Sequence, residues 1–144
     1  MEAEITRSRP DDLNAVLALL ADASLPREGV AEHFQHFLVA RADGRVVGSV
    51  GMEPYGLSVL LRSLVVAPSH RGRGLGRTLT ERLLQEARKH RAQRLFLLTD
   101  TAEEFFRKFG FKPIAMDEAD AAVQESVEFR IACGPSTVCM RLDL

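Results

Sequence analysis

Leu13, Val16, Leu17 and Leu20 recur three and four residues apart, which puts their side chains on one helical face. A short strand from Glu4 to Arg7 precedes them, and Ser8-x-x-Asp11 has the form of a capping box that would start the helix. Leu25-Pro26 ends it, because proline cannot continue a helix. Val30, Phe34 and Phe37 give a second short helix, and the period then drops to two. Apolar runs from Phe37 to Ala40 and from Val46 to Met52 flank Asp43-Gly44, a strong hairpin signal. After a turn at Tyr55-Gly56, Leu57 to Ala67 reads as a long strand, apolar except at Ser58, Arg62 and Ser63. A strand buried on both faces has this pattern.

Leu75, Leu79, Leu83 and Ala87 restore helical spacing, with charged residues opposite. Leu95 to Leu98 is a further buried strand. Ala102 to Phe109 is a helix closed by Gly110, and Phe111 to Ile114 is a strand. Asp117 stands where it would cap a short acidic helix. Val138, Met140 and Leu142 alternate with Thr137, Cys139 and Arg141 as a last strand. The order β-α-α-β-β-β-α-β-α-β-β predicts a mixed α/β fold. Without repeat, low-complexity tract or linker, it predicts one domain over residues 1–144.

Between the long strand and the Leu75 helix lies Arg71-Gly72-Arg73-Gly74-Leu75-Gly76. Glycines at alternate positions leave backbone N–H groups unshielded. At a helix start those groups have no intrahelical acceptor, and the macrodipole adds about half a positive charge. Such a loop is a phosphate site, and Arg71, Arg73 and Arg77 surround it with fixed charge. A P-loop would need lysine and then Ser or Thr after its last glycine, where Arg77 and Thr78 stand. A Rossmann fingerprint would need glycine at the position of Arg77 and an acidic residue ending a second strand. A turn that binds nothing would have no packing use for the arginines.

Arg71-x-x-Gly74-x-Gly76 after a strand matches the Arg/Gln-x-x-Gly-x-Gly/Ala acyl-CoA loop of the GNAT-type N-acetyltransferases, and the chain resembles that family. Thr99-x-x-Ala102-x-x-Phe105-Phe106-x-x-x-Gly110-Phe111 keeps the spacing of a second family motif, with Thr99 for asparagine and Phe106 for tyrosine. The resemblance implies a GNAT fold, a mixed central β-sheet flanked by helices. Its parallel strands, ending at Ala67 and near Thr99, would splay to admit the pantetheine arm. It implies acetyl-CoA as cosubstrate. The binding residues would be Leu64, Val65 and Val66 on the strand, Arg71, Gly72, Arg73, Gly74, Leu75, Gly76 and Arg77 in the loop, and Thr99, Thr101, Phe105 and Phe106 beyond. The reaction implied is acetyl transfer to an amine. Leu60-Leu61-Arg62-Ser63-Leu64-Val65-Val66, Leu97-Leu98-Thr99 and Glu128-Phe129-x-x-x-Cys133-x-Pro135-Ser136 look like the small N-acetyltransferases encoded with arsenic-resistance genes. Gly134 intrudes where Cys-Pro is usual there. Related enzymes acetylate the α-amine of arsinothricin or phosphinothricin, both anionic amino acids.

Acetyl transfer to an ammonium needs a base to free the nitrogen lone pair. It needs a donor for the oxyanion, here a strand N–H near Leu64 to Val66, and optionally a proton for the departing thiolate. Glu53, at a strand end beside the expected cleft, is the first base expected, with Glu128 and Asp100 as alternatives. Each of the three also fits an ordinary ion-paired carboxylate. Phe106 cannot donate a proton, so Tyr55, the one tyrosine, is the phenolic substitute. Free thiols have a pKa of about 8.5, so the thiolate can also leave unaided. The same phenylalanine fits a reading of another class, an acyl-CoA-sensing module without catalysis.

Arg62 in a buried strand requires an anion, either an internal carboxylate or a substrate. In the second case Arg62, Ser63 and Arg130 would bind substrate. Alternation puts Arg62, Leu64 and Val66 on one face and Leu61, Ser63 and Val65 on the other. His33 and His36 lie three apart, a spacing that can suit a metal, yet no cysteine or paired carboxylate accompanies them, so no metal is expected. Cys133 and Cys139 are too few for a disulfide scaffold. As soft ligands they could take trivalent arsenic, but a third thiol is absent. A net charge of −1 argues against nucleic-acid binding. No apolar run approaches the ~20 residues of a membrane span, and the polar start MEAEITRSRPDD does not read as a signal peptide. The expected setting is cytoplasmic, the partner a small amine, and a homodimer is kept open.

Overall fold

The computed structural model describes residues 3–131 and 134–144, so Cys133 lies outside the described residues. The elements are β1 (Glu4–Arg7), α1 (Leu13–Asp22), α2 (Val30–His33), β2 (Phe37–Ala42), β3 (Arg45–Tyr55), β4 (Ser58–Val66), α3 (Leu75–Lys89), β5 (Arg94–Thr99), α4 (Glu103–Arg107), β6 (Lys112–Ile114), α5 (Ala121–Gln124), α6 (Val127–Ile131) and β7 (Val138–Asp143). The strands follow the order β1-β2-β3-β4-β5-β7-β6 in a mostly antiparallel sheet, with β4 and β5 parallel. This is the mixed α/β architecture that the hydrophobic pattern predicts. The chain divides into two compact units, Met1–Glu53 with Arg62–Glu86, and Pro54–Leu61 with Ala87–Leu144.

In the first unit, β2 and β3 form the expected hairpin. Asp43 and Gly44 both take left-handed backbone (φ 52° and 75°), and Ala42 pairs with Arg45 across the turn. β1 adds antiparallel to β2. Val16 and Leu20 of α1, Val30, Phe34, Phe37, Val39 and Val65 form one buried cluster. Two glycines of β3 permit this packing. A Cβ at Gly51 would stand 2.2 Å from the Phe37 ring, and one at Gly48 would meet the Val65 carbonyl at 3.0 Å and Leu79 of α3 at 3.2 Å.

The expected cap of α1 is displaced by one residue. The Arg9 N–H donates to Asp12 Oδ2 at 2.7 Å, and the Ser8 hydroxyl donates instead to the Phe34 carbonyl at 2.6 Å. Pro10 lacks an N–H and suits the first position of the turn, so the capping register starts at Arg9. Asp12 then receives both arms of Arg41, each at 2.6 Å.

In the second unit, Ser58–Leu60 pair in parallel with Arg94–Phe96, and that is the extent of the described ladder between β4 and β5. β5 pairs along its length with β7, and β6 pairs with the other edge of β7. Leu60, Phe96, Ala119, Val123, Phe129 and Cys139 form a core, with Tyr55, Leu98, Ile114 and Met116 packed on it. The acidic segment at Asp117 is helical as expected, a 3-10 turn over Met116–Glu118 and then α5, while α6 is too short to give a periodic signal. Asp117 is not a helix cap. Glu118 accepts the Ala115 N–H at 2.8 Å, and Asp120 is the residue that precedes α5.

Candidate active site

The glycine-rich loop connects β4 to α3 through a short turn, Pro68–His70. Gly72 and Gly74 are left-handed, with φ of 79° and 78°, conformations that cost an ordinary L-residue about 1–2 kcal/mol. A Cβ at either position would meet no protein atom within 4 Å. Glycine there supplies backbone shape and an open approach. The first N–H of α3 to find an intrahelical carbonyl is that of Thr78, which reaches Gly74 at 3.0 Å. The N–H groups of Leu75, Gly76 and Arg77 precede it in the first turn, where donors lack intrahelical partners.

The loop is tied to the strand by Arg71, whose Nε donates to the Val66 carbonyl at 3.0 Å. Arg73 and Arg77 are exposed, and Arg77 also faces Glu81 at 3.7 Å. The Thr78 and Thr80 hydroxyls donate back to Gly74 and Gly76. The arrangement presents N–H groups, a helix N-terminus and guanidinium charge at one place, which is what a pyrophosphate needs.

A second polar group lies buried in the same unit. The Arg62 side chain is fully buried and that of Glu53 is 1 % exposed, with Nη1 to Oε2 at 2.8 Å. Arg62 also donates from Nη2 to the Pro26 carbonyl at 3.3 Å and from Nε to the Ser63 hydroxyl at 3.0 Å. The other oxygen of Glu53 faces His33 Nε2 at 3.4 Å, and the His33 side chain is 29 % exposed. Of the two partners open to Arg62, the internal carboxylate is therefore present.

Ser63 changes the reading of the strand. Its φ is 60°, so the pleat breaks at that residue and simple alternation does not carry past it. Both Arg62 and Ser63 are buried. The Ser63 carbonyl accepts the hydroxyl of fully buried Ser49 at 2.9 Å. Leu64 and Val66 are half-buried and Val65 is buried.

The remaining expected residues fall in the second unit. The Thr99 hydroxyl accepts the Ala102 N–H at 3.0 Å and so opens α4, while Thr101 is exposed. Phe106 is 5 % exposed and packs edge-on against Phe105 and Phe111 at 5.1 and 5.7 Å. It is a core residue in an apolar setting. Tyr55 is half-buried at the end of β3. Arg130 is exposed and donates to the Glu125 carbonyl. Of the alternative bases, Glu128 is buried in α6, and Asp100 is exposed and accepts the Thr137 hydroxyl. Burial, with the Glu118 charge second, pushes the Cys139 thiol up to about 11, so it is not a thiolate at neutral pH.

The spacing of His33 to His36 points only to a metal, and nothing in the sequence singles out Ser49. Neither carries a sequence signal for its role, because periodicity cannot show which polar residues from separate elements meet. Among the described residues no three His, Cys, Asp or Glu side chains gather as a metal site would require.

A family model described as an acetyltransferase (GNAT) domain matches residues 33–113, and the chain belongs to that family. It is 32 % identical over 117 residues to an amino-acid acetyltransferase of Ralstonia nicotianae, covering 75 % of this chain and 26 % of that protein. It is also 32 % identical over 88 residues to an N-acetyltransferase of Chlorobaculum tepidum, covering 60 % of this chain and 56 % of that one. The chain thus spans from about a quarter to just over half of these relatives' lengths.

Among solved structures, N-acetylglutamate synthase from Neisseria gonorrhoeae, complexed with coenzyme A and N-acetyl-glutamate, shares the fold. Its TM-score is 0.85 at 22 % identity, over 100 % of this chain and 35 % of that one. Rv2747 from Mycobacterium tuberculosis, solved with CoA, superposes with TM-score 0.79 at 27 % identity, over 98 % of this chain and 99 % of that one.

Proposed function

We propose that this chain binds acetyl-CoA and transfers its acetyl group to the primary amine of a small, anionic amino acid in the cytoplasm. The observation that carries the reading is the loop from Arg71 to Arg77, left-handed at Gly72 and Gly74 and opening α3. Its first-turn N–H groups, which have no intrahelical acceptor, would receive the pyrophosphate. Attack by the amine nitrogen on the thioester carbonyl puts charge on oxygen, and an N–H of β4 between Leu64 and Val66 would stabilise it. Collapse expels the thiolate. Phe106 gives it no proton, which leaves Tyr55 or water.

Two things support an amino acid as acceptor. The curated relatives carry that name, and exposed Arg130 offers a guanidinium that suits a carboxylate. The arsinothricin or phosphinothricin type is supported by the resemblance of the Glu128-to-Ser136 segment. Among the described residues no helix is long and apolar enough to cross a membrane. A second reading, an acyl-CoA-binding module without catalysis, draws on the apolar surroundings of Phe106.

Calorimetry with acetyl-CoA and a thiol-release assay over an amine panel test both readings. The parent should bind acetyl-CoA, and Gly74→Val should lose at least tenfold in affinity, about 1.4 kcal/mol. Anionic amino acids, phosphinothricin among them, should turn over and their esters should not. Undiminished binding by Gly74→Val would misplace the cofactor. Binding without thiol release on any amine would leave the sensing module.

A further inference from the structure

Glu53 is 1 % exposed, and its two oxygens face different partners: Arg62 Nη1 at 2.8 Å on Oε2 and His33 Nε2 at 3.4 Å on Oε1. Arg62 is held in turn by the Pro26 carbonyl and the Ser63 hydroxyl. The carboxylate is thus almost wholly shielded from solvent. His33, on α2, is 29 % exposed and lies against it. An imidazole can both take and release a proton through its ring nitrogens.

We infer that His33 and Glu53 act as one proton-accepting unit, with His33 delivering to solvent the proton taken from the amine. This rests on the acetyltransferase reading and goes beyond it. An N–H bond of the substrate ammonium breaks, its electron pair stays on nitrogen, and the proton goes to Glu53 Oε1, directly or through one water. It then passes from Oε1 to the lone pair of His33 Nε2, which restores the carboxylate. The imidazolium gives it to water or a buffer base, which returns His33 to neutral. Arg62 stays paired with Glu53 Oε2 throughout. Arg62 from β4 and His33 from α2 both face Glu53 of β3.

His33→Asn is the test, with acetyl-CoA affinity and thermal melting measured alongside. The variant should fold and bind acetyl-CoA as the parent does. Its kcat/KM should fall about 10²-fold, in the range of general acid–base effects, and the acid limb of its pH profile should change. Added imidazole should restore part of the rate. His36→Asn, a neighbouring histidine outside the unit, should keep the parent rate. If His33→Asn fails to fold, His33→Gln carries the same comparison.

A parental rate and pH profile in a folded variant would overturn the relay and leave the acetyltransferase reading intact. A loss that imidazole does not restore would overturn it too, assigning His33 to support of Glu53. A parent that binds acetyl-CoA but acetylates nothing would sink both.

Discussion

Arg62→Met separates a structural cation from a substrate anchor. Methionine reproduces much of the apolar stem, so little cavity forms and the loss is chiefly the guanidinium. That group donates to Glu53 Oε2 at 2.8 Å, to the Ser63 hydroxyl at 3.0 Å and to the Pro26 carbonyl at 3.3 Å. Its removal leaves the Glu53 carboxylate, 1 % exposed, without its closest counter-charge. Breaking a buried pair from one side costs about 3–5 kcal/mol, against a total stability of roughly 5–15 kcal/mol for a domain. Removing the stranded charge as well should reverse most of that. Glu53→Leu with Arg62→Met is expected within about 1 kcal/mol of the parent, or above it, because burying both charges itself costs desolvation. Urea unfolding followed by far-UV circular dichroism measures all three proteins, with equal m-values showing that the same transition is compared. A single-variant cost under about 1 kcal/mol, or a double variant no more stable than Arg62→Met, would refute the argument. Arg62 would then serve the substrate, and its loss would appear in KM with stability intact.

Three further outcomes are expected. Gly51→Ala should destabilise by about 1–3 kcal/mol, because its Cβ would stand 2.2 Å from the Phe37 ring, and adding Phe37→Leu should recover part of the loss in the same urea assay. Arg41 beside Asp12 holds that carboxyl below its ordinary 3.8, so the pair stabilises fully above that pH and loses its contribution as pH falls through the folded value. Asp12→Asn should cost about 2 kcal/mol at neutral pH and should lose less stability than the parent on acidification below 3.8, and equal acid slopes would refute this. Phe106→Tyr should keep activity with a modest change in pH profile, since its ring is core packing. If Tyr55→Phe instead loses most of its rate, Tyr55 is the acid.

Most elements were legible because each writes its burial into a period. Val16 and Leu20 at helical spacing, the Asp43-Gly44 turn between apolar runs, and alternating Val138, Met140 and Leu142 are each a local pattern with one physical cause. The glycine-rich loop at the start of α3 was legible for another reason: its left-handed turns at Gly72 and Gly74 are written in residue type and spacing. Strand order was not recorded. Nothing local distinguishes β7 between β5 and β6 from β7 on an edge, because the alternation of Val138, Met140 and Leu142 is written the same way in either place. Helix α6 is too short to complete the period that would reveal it.

The charged cluster shows where sequence patterning stops. Arg62 announced that something negative lay against it, since an uncompensated guanidinium in a buried strand is untenable. Which anion answered depended on β3 bringing Glu53 beside β4, on the Pro26 carbonyl, and on a left-handed Ser63 that no propensity scale places inside a strand. A serine at φ 60° costs of order 1–2 kcal/mol and persists where its surroundings fix it. Here the Ser49 hydroxyl holds its carbonyl and Arg62 Nε engages its hydroxyl. The same residue that broke the alternation therefore lies one position before the N–H groups proposed to face the thioester. The strain on β4 thus lies between a buried ion pair and the loop that opens α3.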